Sequence, residues 1–352
     1  MAKTKYKIRL SFTTYYTLLN DMYTFNFIKE NGDPNQNNFY NTLISSYYNN
    51  LKYRYNEIND YIFNELYSHI KDKNKISKIA NSLNTKINEI YHSDFNYKYH
   101  NFDIYIYPTK DTASMYDEIE NNELKIESMS EFIRNLFNEY AKAPSYERES
   151  CLYLNHIIKI KKAISNQNVI IIRNTRDAEI HLKPFSIIPS REETYNYIVG
   201  ITVNNKSNVN FSIKLSRIKS VTILKQYFSF NQEELENFKF QLQDGPEFLC
   251  NETNHAIIKF SKECVKKFKA CYKDRPVPTN INDETGEYIF DTDLNKLYLY
   301  LLQFGKHAKV IEPIELKNKL NNFHMQAIDN DYQLYKKIIF INFNDNNELS
   351  VP

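Results

Sequence analysis

Tyr6-Lys7-Ile8-Arg9-Leu10 alternates apolar with charged residues at period two, the pattern of a strand with one buried face and one exposed face. Phe102-Asp103-Ile104-Tyr105-Ile106 alternates in the same phase. Each predicted strand runs into a helical stretch, Thr13–Tyr23 and Thr109–Ile119, followed by a polar loop and a second helix. The second helices match position by position: Phe39, Tyr40, Leu43, Ile44 and Tyr47 correspond to Phe132, Ile133, Leu136, Phe137 and Tyr140. That spacing lays one apolar stripe along a helix. Ser128 and Glu131 have capping-box spacing and mark where the second copy's helix begins. A strand–helix–helix unit therefore occurs over 1–50 and again over 101–145, with a helical spacer over 51–100 carrying Ile58, Ile62, Leu66 and Ile70 on one face.

Beyond Pro144 the pattern changes. A lead-in helix over Glu147–Lys162 precedes apolar, β-branched runs at Asn168–Asn174, Ile180–Ile188, Thr194–Val203, Val209–Leu215 and Ile218–Leu224. The polar Asn-Asn-Lys-Ser-Asn segment between Val203 and Val209 reads as a hairpin connection. These strands make up a domain over 146–226, and 227–249 reads as a linker. A smaller α/β domain over 250–321 has strands at Ala256–Phe260, Tyr288–Phe290 and Ala308–Pro313, a turn at Glu284–Glu287 and a helix over Asp293–Phe304. Residues 322–352 form a tail.

Two resemblances follow from these segments. Asn196-Tyr197-Ile198 stands where the WYL domain of bacterial regulators has its Trp-Tyr-Leu triplet, and Ile213-Lys214-Leu215-Ser216-Arg217-Ile218 where that family has F-R-L-D-R-I. Phe304-Gly305-Lys306-His307-Ala308-Lys309-Val310-Ile311-Glu312-Pro313 resembles the signature of the extension that follows WYL domains, so this likeness covers 146–320. The doubled strand–helix–helix pattern resembles ribbon-helix-helix DNA-binding units. Together they imply an α+β multidomain protein: a ribbon-helix-helix-like N-terminal region in two copies, an SH3/Sm-like β-barrel and a small C-terminal α/β domain that mediates dimerisation.

The resemblances also imply site residues. In ribbon-helix-helix proteins the outward strand residues enter the major groove. Here they are Lys5, Lys7 and Arg9 in the first copy but Asn101, Asp103 and Tyr105 in the second, so the second copy is expected to complete the ribbon within one chain. In the WYL-like domain, Tyr197 is expected to face a ligand pocket and Arg217 to bind phosphate. Lys214, three residues earlier, would join Arg217 only if the chain bends at Ser216; otherwise it is a surface lysine. His181 stands where the family has an Arg three residues before Pro184, and Ser216 replaces an Asp. An unperturbed His is mostly neutral at pH 7.

Composition sharpens the picture. The chain has 352 residues, 42% hydrophobic and 15% aromatic, enough for two or three cores and unlike a disordered protein. With 5 Gly, neither a Walker nor a Rossmann phosphate loop can be assembled. The net charge of +2 is unevenly spread: residues 146–226 carry 13 Lys or Arg against 6 Asp or Glu, and residues 1–20 hold Lys3, Lys5, Lys7 and Arg9 with no acid. Residues 101–145 run the other way, with 4 basic and 9 acidic residues. Local basic excess is the footprint of polyanion binding, or else of solvated basic faces. Tyr53, Tyr55, Lys52 and Arg54 could stack single-stranded bases, although on a helix within a Tyr-rich chain core and interface packing is the better account of them.

Nothing in the pattern points to catalysis, a cofactor or a metal. Cys151, Cys250, Cys264 and Cys271 form no C-x-x-C pair, the eight His show no metal-ligand spacing, and Cys151 and His156 fall on different helix faces with no third group to orient them. Without a signal peptide or a membrane-length apolar run, the chain reads as cytoplasmic. The order of modules resembles the WYL accessory proteins of type VI-D CRISPR systems. That implies a non-enzymatic regulator, a homodimer that binds single-stranded RNA or DNA and partners an RNA-guided CRISPR RNase. A ligand-sensing WYL repressor on DNA and a protein-interaction adaptor with no nucleic-acid role are the alternatives.

Overall fold

In the computed structural model, which describes residues 5–92, 100–121, 128–203, 209–249, 254–271 and 275–326, both alternating N-terminal segments are strands. β1 (Tyr6–Ser11) and β2 (His100–Ile106) pair antiparallel in one chain, with Ile8 opposite Ile104, the two residues at equivalent places in the repeat. Burial follows the pleat: Ile8, Leu10, Ile104 and Ile106 are buried, whereas Lys7, Arg9, Asp103 and Tyr105 are exposed.

α1 (Phe12–Thr24) follows β1, its first turn capped by the Ser11 hydroxyl accepting from the Thr14 amide at 3.2 Å. α4 (Ala113–Glu120) follows β2. The matched second helices are α2 (Gln36–Tyr67) and α5 (Met129–Lys142), and their stripes meet the inner ribbon face in one core. Ser128 does cap α5, accepting from the Glu131 amide at 3.1 Å. α2 contains no Gly or Pro to stop it, so it runs on past residue 50, through the expected boundary with the spacer, before α3 (Lys73–His92) begins.

The two copies are interlocked. Asn37 and Asn41, at the start of α2, bond the backbone of Tyr107 beyond β2: the Tyr107 amide donates to Asn37 at 2.9 Å, and its carbonyl accepts from Asn37 at 3.0 Å and Asn41 at 3.1 Å. Ser130 and Arg134, at the equivalent places of α5, donate to the carbonyls of Lys7 at 3.2 Å and Arg9 at 3.1 Å in β1. Each copy's second helix thus closes the free edge of the other copy's strand, satisfying backbone groups that an edge would leave open.

Where one lead-in helix is expected, the chain forms two, α6 (Ser145–Leu152) and α7 (Leu154–Ser165). Five strands follow: β3 (Asn168–Asn174), β4 (Glu179–Pro189), β5 (Asn196–Thr202), β6 (Asn210–Lys214) and β7 (Ile218–Tyr227). They form one antiparallel sheet in the order β6-β5-β4-β3-β7. The expected closed barrel is not what forms: the ladder is open, with β6 and β7 as its edges. A flat sheet of five strands spans about 19 Å, too far for the single 3-10 turn Leu215–Arg217 that joins those edges. The sheet is therefore rolled but not hydrogen-bonded shut. The polar hairpin segment 204–208 and Asn101's side chain lie outside the described residues, as do those of Lys52–Tyr55.

Residues 227–249, expected to be a linker, contain α8 (Gln232–Gln241), opened by a reciprocal capping box between Asn231 and Glu234. The C-terminal sheet has the order β11-β8-β10-β9, with β8 (Asn254–Phe260), β9 (Asn280–Asn282), β10 (Glu287–Thr292) and β11 (Ala308–Glu312). With α9 (Lys262–Ala270), α10 (Leu294–Leu301) and α11 (314–326) it encloses a second core around Phe260, Phe268, Tyr288 and Phe304. Gly286 at φ +74 sets the turn into β10; any Cβ there would sit 2.2 Å from the Phe260 carbonyl oxygen.

Two compact units result: 1–189 with 193–198 and 213–228, and 190–192 with 199–212 and 229–352. The start of β5 and the end of β6 belong to the first unit, and the end of β5 and the start of β6 to the second.

Candidate nucleic-acid interface

The outward face of the ribbon brings the sequence-predicted residues together. Register places Lys7 opposite Tyr105 and Arg9 opposite Asp103. The Asp103 carboxylate accepts from Lys7 Nζ at 2.7 Å and from Arg9 Nε at 2.9 Å. The hydrogen bonds from Arg9 and Lys7 hold its pKa below the usual aspartate range, and the same contacts raise those of both cations. Lys5 lies just before β1 with its ammonium 3.8 Å from the centre of the Tyr105 ring and 5.8 Å from that of Tyr107. Both rings are about two-fifths exposed.

In the five-stranded sheet Lys214 comes near Tyr197, while Arg217 and His181 stand at the surface. Tyr197 is buried, because every residue of β5 is buried and no alternation survives to present a ring outward. Lys214 is half-buried, its ammonium 3.5 Å from the centre of the Tyr195 ring and 5.9 Å from that of Tyr197. The chain does turn at Ser216, as the 3-10 helix Leu215–Arg217. Arg217 is exposed on that turn, its carbonyl accepting from the Thr175 amide at 3.0 Å. His181 is exposed on β4 opposite Ile171.

Sequence reasoning did not find Glu149. Fully buried on α6, it accepts from the Asn196 amide and the Asn196 side chain through one oxygen, and from the Ser216 amide at 2.9 Å through the other. One carboxylate thus fixes the residue before Tyr197 and the residue before Arg217. Burial pushes its pKa up, against the pull of those donors. Ser216 and Ile218, on either side of Arg217, line a shallow cleft of about 300 Å³ with Phe27, Tyr153 and His156. Burial lowers the pKa of His156, and its ring packs 5.7 Å from that of Tyr153. Cys151 packs instead against the N-terminal core.

Among the described residues, no cluster of His, Cys, Asp or Glu is arranged to hold a metal ion, and no helix is long and apolar enough to cross a membrane.

The fold is similar to that of a CRISPR Cas-related protein known from its crystal structure, with a TM-score of 0.69 and 18% identity over 95% of each chain. Proteasome accessory factor B/C (PafBC) of Arthrobacter aurescens aligns with 56% of this chain and 32% of its own at 15% identity, with a TM-score of 0.26, too low to indicate a common fold. No protein-family model and no curated protein matches the chain. At 18% identity, the first likeness speaks to fold alone.

Proposed function

We propose that this chain is a non-enzymatic, nucleic-acid-binding regulatory protein that acts as an accessory factor in a CRISPR setting and takes single-stranded RNA. The observation that carries the reading is the outward ribbon face: Lys5, Lys7 and Arg9 line one strand against a single carboxylate, and none of them has a part in the core beneath. A cationic strip on a rigid, fully packed support is what backbone neutralisation requires. Arg217, exposed on a turn that a buried carboxylate fixes, supplies a further phosphate contact. The CRISPR setting draws on the fold shared with a CRISPR Cas-related protein, and an RNA-guided RNase as partner is part of the same proposal.

A second reading, a repressor on duplex DNA, is favoured by the ribbon itself, since a two-stranded antiparallel ribbon fits the major groove. The test is a salt titration of the full chain against random single-stranded RNA and random duplex DNA. Binding through phosphates falls linearly on a log–log plot against salt. Steeper and tighter binding to the RNA is expected. Tighter binding to duplex would establish the repressor reading, and no salt-dependent binding to either would leave an adaptor for protein partners.

A further inference from the structure

The two strands of the ribbon present different chemistry outward. β1 and the residue before it offer three cations at successive outward positions, Lys5, Lys7 and Arg9. β2 and the residue after it offer Tyr107, Tyr105 and Asp103, and the register sets Lys7 beside Tyr105 and Arg9 beside Asp103. Outward side chains on one strand recur about every 6.8 Å, close to the reach of one nucleotide of an extended strand. Neighbouring strands lie about 4.8 Å apart, so a charged rail and an aromatic rail run side by side.

Resting on the nucleic-acid reading above, we propose that this face takes an unpaired nucleic-acid strand lengthwise, phosphates along Lys5, Lys7 and Arg9 and bases stacked on Tyr105 and Tyr107. Tyr105 is 43% exposed and Tyr107 40% exposed, while Ile104 and Ile106 beside them are buried. These rings therefore do no core packing that would explain them. Lys5 already rests on both ring faces. An exposed cation–π contact is weaker than base stacking on the same ring, so an arriving base displaces the ammonium toward the adjacent phosphate.

The backbone of the ribbon has the width for a major groove, but the side chains on this face suit a duplex poorly. Its bases are stacked on one another, which leaves the two tyrosines nothing to stack on. A groove also has phosphate walls on both sides, and one of them would approach the Asp103 carboxylate. An unpaired strand puts its phosphates on the cationic rail only.

The test measures anisotropy of short labelled oligonucleotides with the full chain, using oligouridylate RNA, oligothymidylate DNA and a duplex of equal length. The unpaired strands should bind more tightly than the duplex, and the two of them separate RNA from DNA as the source of the ligand. Tyr105→Ala and Tyr107→Ala should each weaken single-strand binding about ten-fold, without changing the slope against salt. Tyr105→Phe should bind as the parent does. Lys7→Ala should instead lower the slope by about 0.7. Circular dichroism melts of each variant check that the fold is kept. Unchanged single-strand affinity in a folded Tyr105→Ala, Tyr107→Ala double variant overturns the stacking inference and leaves the wider function standing. Absence of binding to all three probes overturns both.

Discussion

Asp21 and Asp103 each meet cations at nearly the same distances, yet they belong to different levels of the molecule. Asp21, on α1, accepts from Arg148 at 2.7 and 3.1 Å and from the Tyr140 hydroxyl at 2.8 Å, with its side chain 4% exposed. Asp103, on β2, meets Lys7 and Arg9 at 2.7 and 2.9 Å, with its side chain 32% exposed and its partners more than half exposed. Burial pushes the Asp21 carboxyl up, against Arg148 and Tyr140, whereas hydrogen bonds from its cations pull Asp103 down. Equal contact distances do not imply equal roles. A buried pair fixes how helices pack because neither charge can be left alone, while an exposed trio is screened by water and stays available to a ligand.

The contrast is broken most sharply at Asp21. Asp21→Ala strands the Arg148 guanidinium beside the core and should cost about 3–5 kcal/mol in denaturant unfolding. A double variant, Asp21→Leu with Arg148→Met, should recover most of that loss, since the apolar replacement leaves no buried charge. If Asp21→Ala melts like the parent, the buried pair is not what holds α1 to α6.

Glu149 lies between the two cases: fully buried, but satisfied by N–H donors. Glu149→Gln cannot accept at both ends and should cost about 1–3 kcal/mol. Because burial raises its pKa in the fold, the folded chain holds the proton more tightly than the unfolded chain does. Its contribution is complete below the ordinary value of 4.5 and is lost as pH rises through the folded value. Melting midpoints taken at rising pH should therefore fall in the parent relative to the Gln variant. Parallel curves would show that Glu149 ionises in the fold as it does in the unfolded chain.

What was legible in the sequence was local. Alternation in Tyr6–Leu10 and Phe102–Ile106 and the matched stripes of α2 and α5 gave the ribbon, its outward residues and its shared core, because period and burial are set within a few residues. What was not legible depends on distant partners. Asp103 meets Lys7 and Arg9 only because of a strand register that joins positions 94 residues apart. Glu149 is a polar residue in an unremarkable helix until Asn196 and Ser216 fold onto it. Tyr197 could not be placed by alternation because β5 is buried along its whole length. The capping box of α8 was readable at Asn231 and Glu234, but the helix behind it has too weak an apolar stripe to have been read as one.

The gentlest perturbation is Asp103→Asn. As the exposed member of the comparison, Asp103 should tolerate the change with no shift in melting midpoint, since its hydrogen bonds are made in water and its partners have other solvation. Its lowered pKa places any small stabilising effect above the ordinary aspartate range, to be lost only on acidification, the opposite direction to Glu149. Ligand binding should respond instead. Removing the carboxylate frees Lys7 and Arg9 of a competing partner and removes a repulsive charge beside the aromatic rail. Affinity for a short unpaired strand should rise several-fold, with the slope against salt little changed, because Lys7 and Arg9 already contact phosphate in the parent. A fall in affinity would mean that Asp103 holds Lys7 and Arg9 in their binding positions. A fall in melting midpoint would put Asp103 in the same class as Asp21, and the distinction between the two carboxylates would fail.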